Sequence, residues 1–130
     1  MKQNDLSKRL PELAVRVGKV VDTLPDTRLG KHIAGQRVRS GTSPAPNVEE
    51  ACAAESRGDF IHKVRIALIE LRETRCWIVL IMRSELLQEA RMNELANEAD
   101  ELCKILGQSL ATARRNEERA KAKPAMPSPK

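Results

Sequence analysis

Seven residues spaced alternately four and three apart, Phe60, Val64, Ala67, Leu71, Thr74, Ile78 and Ile81, constrain this chain more than any other feature. Residues at that spacing fall on one side of an α-helix. Their period suits helices packed lengthwise at a low angle, and it excludes a strand, whose faces alternate every second residue. Nearly the same alternation runs through Leu6, Leu10, Leu13, Val17, Val20 and Leu24, and again through Met92, Leu95, Ala99, Leu102, Leu106, Leu110 and Ala113. Three such stripes within 130 residues predict one domain with one core, built from helices lying side by side.

The punctuation between the stripes sets the topology. The first helix should end at Leu24-Pro25, and Pro11, which fits a helix only in its first turn, places regular helix from about Leu10 onward. Asp26 or Thr27 can cap a second helix whose short apolar face is Leu29, Ile33 and Val38. The run Ser40-Gly41-Thr42-Ser43-Pro44-Ala45-Pro46 then predicts a kink or short loop, because each proline removes a backbone donor. Ser43 would cap a restart that begins at Pro44 and carries Val48, Ala51 and Cys52 inward. The side chains of Ser40, Thr42, Ser43 and Asn47 would satisfy backbone groups freed at the break. Gly58 is expected to end the restart and Asp59 to cap a third helix that runs to about Arg83. The expected fold is all-α: an antiparallel up-down-up-down four-helix bundle with a broken second helix over residues 1–118, then a disordered basic tail over 119–130.

Charge narrows the partners. There are 23 Lys and Arg against 18 Asp and Glu, a net charge of +5, and the last 17 residues hold six basic and two acidic residues, +4 of that total. Phosphate contact with RNA or DNA is the chemistry this balance allows. Lys8, Arg9, Arg16, Lys19, Arg28, Lys31, Arg37, Arg39 and the basic residues of the tail are its candidates. The plainer account is that these are solvated faces, since acidic residues are interleaved among them. With one Trp, one Phe and no Tyr, the sequence offers no platform for stacked bases. The longest unbroken apolar run, Cys76 to Met82, is far below the ~20 residues that cross a bilayer, so no membrane role is expected. Three cysteines with no close pair, and an N-terminus without a secretory apolar run, lead us to expect a cytoplasmic chain.

No enzyme, metal or cofactor is expected. Glu70 and Glu73 stand one helical turn apart as paired carboxylates might, yet nearby Arg72 and Arg75 make structural ion pairs the simpler account. Two-metal bundle sites use Glu-x-x-His units, and neither His32 nor His62 supplies one. A nucleophile would need an oriented base beside it, and Gly30-Lys31 has no glycine-rich loop before it to cradle phosphates. The all-round apolar segment Cys76 to Met82 exceeds what a single seam requires. Trp77, Ile78, Leu80 and Ile81 are therefore the candidate interface of a homo-oligomer, with Trp77 as anchor unless it is an ordinary core residue. An adaptor that scaffolds a protein partner, without nucleic acid, is the alternative function.

The central third of the chain carries a further signal. It holds an R-S-x-T-S-x-x-x-N-I/V-x-E-A/G run at Arg39, Ser40, Thr42, Ser43, Asn47, Val48, Glu50 and Ala51. An S-x-x-D-F-I/L-x-K run follows at Ser56, Asp59, Phe60, Ile61 and Lys63, then I-A-x-x-E-x-x-E-T at Ile66, Ala67, Glu70, Glu73 and Thr74, with Trp77 beyond. This order resembles the bacterial four helix bundle family whose founding members are encoded in intervening sequences of large-subunit ribosomal RNA genes. Pro44, Ala45 and Pro46 depart from it, since the family more often has a small or apolar turn there. The resemblance implies a homopentamer. It also implies structural roles for Ser43, Asn47, Glu50, Asp59, Phe60, Glu70 and Glu73. One branch, the accessory proteins of diversity-generating retroelements, works with a reverse transcriptase and nucleic acid, so by resemblance a reverse transcriptase or another protein is a possible partner.

Overall fold

The computed structural model describes residues 3–84, 87 and 89–122, with side chains apart from those of 3, 4, 36–39, 89 and 91. Helix α1 spans Gln3–Thr23 and buries Leu6, Leu10, Leu13 and Val17 of the stripe the sequence predicts, while Val20 and, just past the helix, Leu24 are half-buried. It starts seven residues ahead of the expected onset. Pro11 lies within it on the exposed side, where packing of Leu10 before it and Leu13 after it offsets one lost backbone bond.

Helix α2, Arg28–Thr42, is capped by Thr27, whose Oγ1 accepts from the Gly30 N–H at 3.0 Å. Its buried face differs from the expected apolar one. Leu29 is exposed, Val38 lies outside the described side chains, and the buried positions are Gly30, Ile33, Ser40 and Gly41. A Cβ on Gly30 would lie 2.1 Å from the Pro25 carbonyl oxygen, and one on Gly41 would lie 2.6 Å from Val17 Cγ1. Gly41 thus lets α2 come close to α1, and Gly30 lets the first turn of α2 close on the turn that precedes it, neither of which hydrophobic counting registers.

The break between α2 and α3, Pro44–Cys52, is a single residue. Ser43 keeps right-handed helical angles (φ −68°, ψ −35°), and its side chain makes no capping bond to backbone, contrary to expectation. The Asn47 side-chain amide instead donates to both the carbonyl oxygen and the hydroxyl of Ser43, at 3.0 Å each. Val48 and Ala51 are buried as predicted, while Cys52 is half-buried.

The restart stops at Cys52, with Ala53 at its C-cap, well before Gly58. Helix α4, Arg57–Arg83, is capped not by Asp59 but by Ser56, whose hydroxyl accepts from the Asp59 N–H at 3.0 Å. Gly58 therefore lies inside the first turn, and Asp59 sets a negative charge at the helix start. Val64, Ala67, Leu68, Leu71, Thr74, Ile78 and Ile81 face the core, and each buried Leu or Ile contributes about 1.5–3 kcal/mol. The buried Thr74 hydroxyl donates to the Glu70 carbonyl at 2.9 Å, so it fits the seam without an orphaned donor.

Helix α5, Glu89–Ala122, buries every residue of the third predicted stripe and also Cys103. It runs four residues past the expected domain boundary, and the rest of the expected tail, 123–130, lies outside the described residues. Cross-links fix the directions. Arg9 meets Glu98 and Glu101 while Arg16 meets Glu94, so α1 runs against α5. Arg75 meets Asp100 and Arg57 meets Asn116, so α4 also runs against α5. Helix α1 packs most against α2, and α4 most against α5 and α3, which closes an antiparallel four-helix bundle with a broken second helix.

Candidate nucleic-acid interface

The basic residues expected to meet phosphates have divergent surroundings. Arg9 is held by the Glu98 carboxylate through Nε and Nη2 and by Glu101 at 3.1 Å, and these bonds, Glu98 first, keep its guanidinium charged. Arg16 stands 3.9 Å from Glu94, and Lys31 stands 3.2 Å from Asp26. Lys19 and Arg28 are exposed, and Arg37 and Arg39 lie outside the described side chains. Arg9 and Arg16 thus turn toward acidic residues of α5, a use that sequence separations of 89 and 78 residues conceal.

A different group of cations gathers where α4 begins and α5 finishes. Arg57, in the first turn of α4, donates from Nη1 to the Asn116 carbonyl at 2.9 Å. Arg115 Nη2 stands 3.4 Å from Thr112 Oγ1, Arg114 and Arg119 are exposed, and Lys121 pairs with Glu117 at 3.0 Å. Because α4 starts opposite Asn116, the last six residues of α5 run past it, about 9 Å at the helical rise. Beside this end lies a groove of about 440 Å³. Phe60, Ile105 and Ala113 form its apolar part, and Gln108, Ser109, Thr112 and Asn116 its polar part. From the sequence, Arg114, Arg115 and Arg119 count only as part of the basic C-terminal stretch, Arg57 does not stand out, and the groove is not visible. The one signal for it was Phe60, the stripe member that the fold leaves only half-buried.

The expected oligomer interface divides. Ile78 and Ile81 are 3% and 2% exposed inside the chain's own core, so they are not available to a partner. Trp77 is half-buried, packs edge-on against His32 with ring centroids 5.8 Å apart, and lies beside Val17, Val20 and Leu95. Leu80 alone of the four faces outward, and it shares the outer side of α4 with exposed Ile69, Cys76 and Val79.

The motif residues act within the fold. Glu50 pairs with Lys63 at 2.6 Å, tying α3 to α4, Asp59 closes the Ser56 cap, and Asn47 bridges the break at Ser43. Glu70 supplies the carbonyl for Thr74, and Glu73 is exposed. Among the described residues no three of His, Cys, Asp and Glu assemble as metal ligands, and no helix is long and apolar enough to cross a membrane. Burial, the first cause, pushes the thiols of Cys52 and Cys103 upward, away from the reactive thiolate form.

Comparison with known proteins agrees with this architecture. No protein of curated function matches the chain. Among solved structures, a protein of unknown function from the S23 ribosomal protein family of Bacteroides thetaiotaomicron VPI-5482 superposes with a TM-score of 0.76 at 34% identity. The alignment covers 85% of this chain and 99% of that one. Residues 2–108 match the family described as 23S rRNA-intervening sequence protein, and the chain therefore belongs to that family.

Proposed function

We propose that this chain is a non-catalytic helical module that binds nucleic acid through phosphates, chiefly at the end of the bundle where Arg57 meets the last turns of α5. The observation that carries this reading is that Arg57 and Arg115 have neutral hydrogen-bond partners, unlike the cations that carboxylates hold. Arg9, Arg16 and Lys31 face carboxylates, whereas Arg57 and Arg115 bond to a neutral carbonyl and a neutral hydroxyl, with Arg114 and Arg119 exposed beside them. A guanidinium with neutral partners keeps its charge available to an anion.

Binding of labelled RNA and DNA duplexes across a salt series tests it. The slope of log K against log salt should become shallower by about 0.9 for each of Arg114→Gln, Arg115→Gln and Arg119→Gln that removes a phosphate contact. Arg9→Gln should leave the slope unchanged. An unaltered slope in the triple variant, or no binding near physiological salt, would count against the proposal.

A second reading rests on the outer side of α4, where Ile69, Cys76, Val79 and Leu80 leave an apolar strip exposed. Such a strip fits self-association, pentameric by family resemblance, or docking of a protein partner such as a reverse transcriptase. Three free cysteines fit work in a reducing cytoplasm.

A further inference from the structure

We infer that the groove at the α4–α5 end holds an unpaired nucleotide of a nucleic-acid strand, its base against Phe60 and its phosphate on Arg57 and Arg115. The inference rests on the nucleic-acid reading and adds which part of the strand is held and how. The division of chemistry in the groove carries it. At about 440 Å³ the groove falls within the size range of small-ligand sites, and every side chain lining it is neutral. Phe60 and Ile105 give an apolar surface, while Gln108, Ser109, Thr112 and Asn116 give neutral hydrogen-bonding groups. The cations stand at the margin: Arg57 reaches the Asn116 carbonyl at 2.9 Å, and Arg115 stands 3.4 Å from Thr112 Oγ1.

A flat neutral heterocycle joined to an anion has this same division. The side-chain amides of Gln108 and Asn116 each combine donors and an acceptor, the pattern that matches a base edge. The Phe60 ring, only half-buried, leaves apolar surface on which one base can lie, a single contact and not the platform for successive stacked bases that the composition excludes. Its place is fixed by the helix start, where the Phe60 N–H donates to the Ser56 carbonyl at 3.1 Å. An apolar peptide would leave four polar side chains unmatched, and a free phosphate would make no use of the ring. A base stacked within a duplex could not present its face to Phe60, so the groove selects unpaired strand.

The test compares a short labelled single-stranded RNA with the duplex of the same sequence, by fluorescence anisotropy at fixed salt. Phe60→Leu keeps an apolar side chain of similar reach and removes the aromatic face. It should weaken single-strand binding roughly five- to a hundredfold and leave duplex binding within about twofold. Equal affinity of Phe60→Leu and the unaltered protein for the single strand, or equal weakening on both probes, would overturn the inference and leave phosphate binding standing. Binding of neither probe near physiological salt would overturn both. Should Phe60→Leu lose its helical circular dichroism, the unaltered protein answers instead. Photocrosslinking with 5-iodouridine RNA should attach to the peptide containing Phe60, and attachment confined to α1 or α2 would refute the site.

Discussion

Asp100 is held by two cations from two helices, Arg75 of α4 at 2.9 Å and Lys104 of its own helix at 3.1 Å. Lys104, then Arg75, hold its carboxyl below the usual carboxylate range. A group with a lowered folded pKa stabilises the fold above its unfolded value and loses that contribution as pH falls through the folded one. Asp100→Asn should therefore be less stable than the unaltered chain at pH 7, and the difference should shrink from about pH 4 downward. Urea titrations at several pH values measure this, and a constant difference would show that the carboxylate is not held. The residue types in such pairs were visible in the sequence, but their partners were not. Arg9 looked like a free cation until the fold placed Glu98, 89 residues away, beside it.

At the scale of elements, legibility followed the size of the contact residue. The stripe of α5 is buried as the spacing predicts, and so are that of α1 apart from Val20 and Leu24 and that of α4 apart from Phe60, because Leu, Ile and Val carry the helical period openly. The buried face of α2 is legible in the sequence only at Ile33, because its other buried members, Gly30, Ser40 and Gly41, add nothing to an apolar pattern. The start of α4 was misplaced because Gly58 reads as a stop, while the signal that decides is Ser56 three residues before Asp59, a serine cap with an acidic third position. Gly41→Ala tests the close approach of α2 to α1. Its added methyl would lie 2.6 Å from Val17 Cγ1, on a β-branched side chain that cannot swing aside, so a loss of about 1–3 kcal/mol is expected in denaturant unfolding. Val17→Ala in the same chain should recover part of it, and Gly41→Ala alone with no loss would mean that the helices can separate freely.

For the whole molecule, the bundle was legible because its core is local in pattern, whereas the groove was not, since it joins Phe60 to residues 45 to 56 positions away. The exposed strip on α4 makes the assembly prediction. Ile69→Glu with Leu80→Glu should lower the particle mass in multi-angle light scattering at micromolar concentration without changing helix content, and unchanged mass would remove that strip from any interface. The one-residue break at Ser43 has a consequence for how the molecule opens. Helix α2 packs chiefly on α1, and α3 chiefly on α4, so the second rod belongs half to one hairpin and half to the other. Its two halves meet at a point where prolines leave the backbone short of donors. Cooperative unfolding units follow continuous packing, and here the rod changes its main packing partner at residue 43. The bundle is thus two clasped pieces, α1–α2 and α3–α4–α5. Amide exchange that is slow in the second piece and faster in the first would be the trace of that division, and the neutral groove with Arg57 and Arg115 at its margin lies wholly within the second.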